Sequence, residues 1–266
     1  MPFPMEIDEF LDGGLLRRAD IVLVRGTNLF SRAIRFATRS PFSHAALIFL
    51  IPDSQSGFER TFLIEAVPKG IKITGIADLV GSGPVGDPKK SIAVLRFERD
   101  WFDEKIQKLV RGRMLDFVRA GYDWSTIFGI LRSLVWGAAF GAEQFRAIVR
   151  STLEKGYERK RIVPANFICS GLVQYGFLRT IFDLSDKDGT VIPIGDVVDA
   201  IFNPRLTGID PGEIIAGSPE ALAELLATTP DQISRAPSLA WKFVVAKGQV
   251  HSVANRDEAV AILERS

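Results

Sequence analysis

The period of apolar and polar positions changes several times along the chain, and each change marks an element. Residues 21–24 (IVLV) are apolar without interruption, the pattern of a strand covered on both faces, and Arg25-Gly26-Thr27-Asn28 follow as turn and helix cap. Residues 29–40 switch to helical period. Phe30, Ala33, Ile34 and Ala37 share one stripe there, while Arg32, Arg35 and Arg39 lie elsewhere on the cylinder. Pro41 is expected to stop that helix, because proline disfavours helical backbone in the residue before it. Residues 44–51 (HAALIFLI) have the pattern of a short apolar strand opening on a histidine. Residues 62–67 (FLIEAV) form a second, which Pro68-Lys69-Gly70 turns into 71–74 (IKIT). A further strand is expected over 92–97. Residues 103–120 have the pattern of an amphipathic helix, with Ile106, Leu109, Val110, Leu115 and Val118 inward.

The longest apolar stretch is 127–142 (IFGILRSLVWGAAFGA), with Arg132 inside it, and a charged run, 154–161 (EKGYERKR), follows. Together they suggest a helical, apolar insertion over about 125–160. The stretch is shorter than the ~20 apolar residues that span a bilayer. A buried helix is the expectation; a lid over an apolar pocket and peripheral contact with a membrane surface are the alternatives. Residues 164–168 lead into Cys169, and 170–178 have the pattern of a helix starting at that cysteine. Beyond Pro204, Ser218-Pro219-Glu220 and Thr229-Pro230-Asp231-Gln232 are helix starts with proline in first position. A strand over 241–246 and a capped helix over 255–265 complete the chain. Strands and helices in mixed order predict an α+β fold. The expected division is a domain over 1–205 and a C-terminal α/β extension over 206–266.

Composition narrows the function classes. With 266 residues, 47% hydrophobic and 24% charged, the chain can bury a sizeable core. Its 33 basic and 32 acidic residues leave a formal charge of +1, so no broad field favours nucleic acid. The single cysteine cannot form an internal disulfide, and the first residues lack an apolar signal region; a cytoplasmic location is the expectation.

That cysteine is also the first candidate for chemistry. A lone cysteine is most often a small buried hydrophobe. At the first turn of a helix, however, unpaired N–H groups and the positive end of the macrodipole stabilise a thiolate, and the same donors can hold an oxyanion. A thiol nucleophile needs a base, and the chain has two histidines. His44 opens an apolar strand, whereas His251 sits in a polar, turn-like context (KGQVHSVANR), so His44 is favoured. Glu65 is the one charged residue in FLIEAV. It either points to water from a strand with one wet face or holds an imidazole in the right tautomer. Its same-face neighbours Leu63 and Val67 are apolar, which weakens the first alternative. No phosphate-binding loop, dinucleotide fingerprint or zinc-ligand cluster stands beside this set.

The segments ADIVLVRG, SRAIRFATRSPFSHAALIF, FLIEAVPKGI, YDW and FICSGLVQYGF, in that order, resemble the circularly permuted branch of the NlpC-type papain-like hydrolases. The YiiX/YebB-like proteins share this order, and lecithin:retinol acyltransferase is a more distant relative. The resemblance runs over about 19–204; the insertion and the residues after 204 match nothing in it. It implies a permuted papain-like core, an antiparallel sheet packed against the helix that carries the nucleophile. Carried over residue by residue, it implies Cys169 as nucleophile, His44 as general base and then acid, and Glu65 as orienter. Tyr122 is implied as a substrate or oxyanion contact. Ser43 and Ser170 are candidate pocket residues, each equally explained as a cap or turn residue. Asp20 and Asp123 are expected to fix local backbone.

The expected activity is hydrolysis of an amide in a peptide or small molecule through a thioester, with no metal or cofactor. A lipid-directed phospholipase or acyltransferase is the alternative, motivated by 127–142, and a binding module with an idle hydrolase core is a third reading.

Overall fold

The computed structural model describes residues 5–12, 14–52, 59–67, 70–80, 89–116, 121–122, 166–167, 169–187, 192, 194–216, 221, 224–225 and 228–265. Its centre is an eight-stranded sheet in which every neighbouring pair is antiparallel. The strands are β1 (Met5–Glu6), β2 (Ile21–Arg25), β3 (His44–Leu50), β4 (Phe62–Val67), β5 (Gly70–Gly75), β6 (Ser91–Phe97), β9 (Leu239–Ala246) and β10 (Gln249–Ser252). Their order across the sheet is β1-β10-β9-β6-β2-β3-β4-β5. A separate parallel pair joins β7 (Gly121–Tyr122) to β8 (Asn166–Phe167).

The uninterrupted apolar runs have a simple cause: both faces of the sheet are covered. Alternation sends Ile21, Leu23, Ala45, Leu47, Ala93 and Leu95 to one core cluster. It sends Val22, Val24, Ala46, Ile48, Ile92 and Val94 to a second cluster on the other face. The first cluster receives α4 (Glu104–Leu115), α5 (Cys169–Lys187) and α9 (Arg256–Arg265). The second receives α1 (Ile7–Asp12) and α3 (Ile76–Val80). Helices α4 and α5 approach closely at Gly176, where a Cβ would stand 2.7 Å from Met114 Cγ. Phe177 then stacks on Phe102 at 5.5 Å and meets Phe202 edge-on at 5.1 Å. Burying one such side chain contributes roughly 1.5–3 kcal/mol, so this cluster strongly fixes where α5 lies.

Several elements differ from the sequence expectations. Helix α2 (Leu29–Thr38) ends before Pro41, because Arg39 adopts a left-handed conformation (φ 49°) and its N–H returns to the carbonyls of Arg35 and Phe36. Helix α4 starts at the Asp103 cap and ends at Leu115. Helix α5 runs to Lys187, nine residues beyond the expected 178, since Ile181 and Leu184 continue its buried stripe. His251 lies in β10, paired with Val244, not in a turn. Residues 5–12 and 76–80 form elements too short to show a period.

Residues beyond 205 enter the same sheet and core. Strand β9 pairs with β6, and Ala259 and Leu263 of α9 are fully buried in the first cluster. Short helices among the described residues include α6 (Ile194–Asp199), α7 (Pro211–Ala216) and α8 (Pro230–Ser234). The last starts with a capping box between Thr229 and Gln232, as its sequence predicts. The apolar stretch 127–142, the charged run 154–161 and the helix start at 218–220 lie outside the described residues. Among the described residues, no helix is long and apolar enough to cross a membrane.

Candidate active site

Two neighbouring strands and one helix start bring the three chemically distinctive residues together. His44 is the first residue of β3, opposite Val24. Its position is fixed by the turn before it. The Ser43 N–H donates to Val24 O at 2.8 Å, the Gly26 N–H donates to Ser43 Oγ at 3.1 Å, and the Phe42 N–H donates to Ser40 Oγ at 3.0 Å. Glu65 is inside β4 and 4% exposed, so the wet-face alternative does not apply. Cys169 opens α5 and is 7% exposed.

The His44 Nε2–H donates to Glu65 Oε2 at 2.7 Å. That bond leaves Nδ1 as the ring nitrogen available to Cys169, which lies close enough to shift the titration of the ring. The second Glu65 oxygen, Oε1, accepts from Thr74 Oγ1 at 2.6 Å and lies 3.4 Å from Lys72 Nζ. Thr74 and Lys72 come from β5, whose register sets Lys72 opposite Glu65. The buried carboxylate is thus satisfied from both sides, as its burial requires.

Electrostatics follow from that geometry. Burial alone would raise the Glu65 carboxyl. The hydrogen bond and charge of His44, the Thr74 hydroxyl and the Lys72 ammonium outweigh it and hold Glu65 at about 2. Burial would lower His44, but the negative charge and hydrogen bond of Cys169, together with Glu65, push it up to about 10. Burial would likewise raise the Cys169 thiol. The His44 charge and hydrogen bond, with the Ala45 and Ser170 N–H groups, bring it below the ordinary thiol value. These shifts all favour the charged forms: carboxylate, imidazolium and thiolate.

A cleft of about 750 Å³ opens on these three residues. Phe30 and Ile34 of α2 and Leu79 of α3 supply an apolar lining, and Thr229 and Pro230 close it from the C-terminal part of the chain. Ser43 lines the cleft and also ties β3 to β2 through its hydroxyl. Ser170 lines it too, fully buried, with its hydroxyl donating to Thr228 O. The backbone of Tyr122 pairs with Phe167, two residues before Cys169; the Tyr122 side chain and Asp123 lie outside the described residues. Asp20 stands apart from the cleft. It takes two hydrogen bonds from Arg96, both at 2.7 Å, and one from the Arg17 N–H at 2.8 Å, which fixes local backbone.

Thr74 and Lys72 were not singled out from the sequence. The signal was present, since a turn at 68–70 sets the strand after it beside FLIEAV, but only the hairpin register says which residue meets Glu65. Among the described residues, no three His, Cys, Asp or Glu side chains are grouped so as to hold a metal ion.

No family model and no curated protein matches the chain. Among solved structures, it is similar to the metalloprotein yiiX from Escherichia coli O157:H7. The TM-score is 0.45 and the identity 17%, over 86% of this chain and 96% of that one.

Proposed function

We propose that this chain is a cysteine hydrolase with a permuted papain-like core, acting on an amide carbonyl. The observation that carries the reading is the relay from Glu65 through His44 to Cys169, with the 2.7 Å Glu65–His44 bond at its centre. In the forward half-reaction the Cys169 thiolate adds to the carbonyl carbon, and N–H groups of the first turn of α5 stabilise the oxyanion. The imidazolium of His44 gives its proton to the leaving amine as the C–N bond breaks, and a thioester remains. In the second half, neutral His44 takes a proton from water, hydroxide attacks the thioester, and the thiolate leaves beside a regenerated imidazolium. Glu65 keeps the ring oriented throughout.

A lipid-directed reaction is the second reading, and the apolar lining from Phe30, Ile34 and Leu79 favours it. The chemistry at Cys169 is unchanged; the acyl group comes from an ester, and water or a second alcohol resolves the thioester.

The deciding experiment is the pH dependence of Cys169 alkylation in the parent and in His44→Ala. The expected result is fast alkylation well below neutral pH, lost in His44→Ala. An ordinary thiol titration, unchanged by the substitution, would overturn the catalytic reading in favour of a binding module.

A further inference from the structure

Helix α2 has two working faces. Phe30, Ser31, Ile34 and Thr38 line the cleft. On the opposite side of the cylinder, Leu29 is 82% exposed and Phe36 71% exposed. At 100° per residue these two fall beside Arg32, Arg39 follows as the C-cap, and Arg35 lies between this face and the cleft-lining stripe. The helix contains no acidic residue. Among the described residues, none of Arg25, Arg32, Arg35 and Arg39 has a side-chain ion pair or hydrogen bond, and Arg35 Nε is buried without a partner. Burial, then the like charges of Arg25 and Arg32, push the Arg35 guanidinium below its ordinary value. Among the described residues, the cluster therefore has no anion paired with it.

We infer that the outer face of α2 is a docking surface for a bilayer containing anionic phospholipid. Three observations select that occupant. Guanidinium groups pair with phosphate, which meets the missing charge. Two large apolar side chains beside them need an apolar phase, which the acyl boundary of a bilayer supplies and a nucleic acid backbone does not. A second copy of the chain would set arginine against arginine across a two-fold interface. Docking through this face would set α2 between the bilayer and the cleft on its inner side. The inference does not depend on Cys169 being a nucleophile.

The test is co-sedimentation of the full chain with phosphatidylcholine vesicles, with and without about a third phosphatidylserine. The expected result is binding to the phosphatidylserine vesicles that weakens with added salt. The double variant Arg32→Gln/Arg39→Gln should bind roughly 25-fold more weakly, about fivefold per arginine. Leu29→Ser/Phe36→Ser should lose binding in all conditions. All four side chains are exposed, and an unchanged thermal midpoint and Cys169 alkylation rate show that each variant is folded. No binding above pure phosphatidylcholine, or binding indifferent to both double variants, would overturn the inference. So would a parent dimer that Leu29→Ser/Phe36→Ser converts to monomer, because the face would then belong to a second copy.

Discussion

Glu65 Oε2 lies 2.7 Å from His44 Nε2, and the charge it places there reaches Cys169 through the ring. The carboxylate stabilises the imidazolium, and the imidazolium stabilises the thiolate. Glu65→Gln keeps the side-chain shape and removes the charge, so both links weaken. His44, raised to about 10, should titrate lower, and Cys169 should titrate higher. The window in which thiolate and imidazolium coexist narrows from both ends. An alkylation profile measured from acid to alkaline pH should show its low-pH limb moved upward in Glu65→Gln. A low-pH limb identical to that of the parent would mean that Glu65 does not tune the pair.

Thr74 offers a separate test of the same carboxylate. Burial opposes its ionisation, and His44, Thr74 and Lys72 together bring Glu65 from 4.5 down to about 2. A carboxyl depressed in the folded state stabilises the fold above its unfolded value, here above 4.5. That contribution is lost as pH falls through about 2. Thr74→Val removes the 2.6 Å donor without changing shape, so Glu65 should titrate higher and the fold should fail at higher pH on acidification. The expected cost at neutral pH is about 1–3 kcal/mol, measured by denaturant unfolding. Lys72 is half-exposed at 3.4 Å, and Lys72→Gln should cost under about 1 kcal/mol. Equal effects from the two variants would contradict this division.

What the sequence made legible here was scarcity and period. One cysteine, two histidines and one acid in an apolar run leave few ways to build a thiol site. The strands around them are long enough to show their alternation. Nonlocal geometry was not legible. Thr74 and Lys72 matter through hairpin register, and Gln174 through backbone groups more than 20 positions away. The short β10 hid because four residues carry too little pattern, and its histidine looked like a turn residue. Pro41 is a strong stop signal and places the end of α2 too late, whereas a left-handed Arg39 leaves no mark in the sequence.

Gly26 links the turn before α2 to the site. Its N–H donates to Ser43 Oγ, and a Cβ there would collide with Ser31 Oγ and stand 2.7 Å from Ser31 Cβ. Gly26→Ala must therefore displace either the first turn of α2, which lines the cleft, or Ser43 beside His44. We expect a loss of roughly 1–3 kcal/mol in unfolding free energy and a changed alkylation profile of Cys169. Ser31→Gly removes both opposing atoms, so Gly26→Ala/Ser31→Gly should recover the profile. A double variant as perturbed as the single one would place the strain elsewhere.

Gln174 holds α5 in place from within. Its carboxamide is fully buried; Nε2 donates to Ala200 O at 2.7 Å, while Oε1 accepts from the N–H groups of Phe202 at 2.6 Å and Asn203 at 3.2 Å. One side chain thus satisfies three backbone groups of the segment after α6. That segment continues to the cleft: Asn203 Oδ1 accepts from Gln232 Nε2 at 2.7 Å, and Gln232 Oε1 accepts from the Thr229 N–H at 2.7 Å. Gln174→Met keeps the volume and removes every one of these partners, leaving buried groups unpaired at about 1–3 kcal/mol each. Relaxation will recover part of that sum, so the expected loss is about 3 kcal/mol, a lowered denaturant midpoint with an unchanged slope. Asn203→Ala keeps the Gln174 bonds and removes those of the Asn203 side chain to Gln232, Glu224 O and the Arg205 N–H; it should cost less, but it frees Thr229 and Pro230 at the cleft wall. If cleft and core are coupled as these bonds imply, Asn203→Ala should alter the rate of Cys169 modification by bulky reagents more than by small ones. Equal effects on both reagents would show that the wall is held by packing alone.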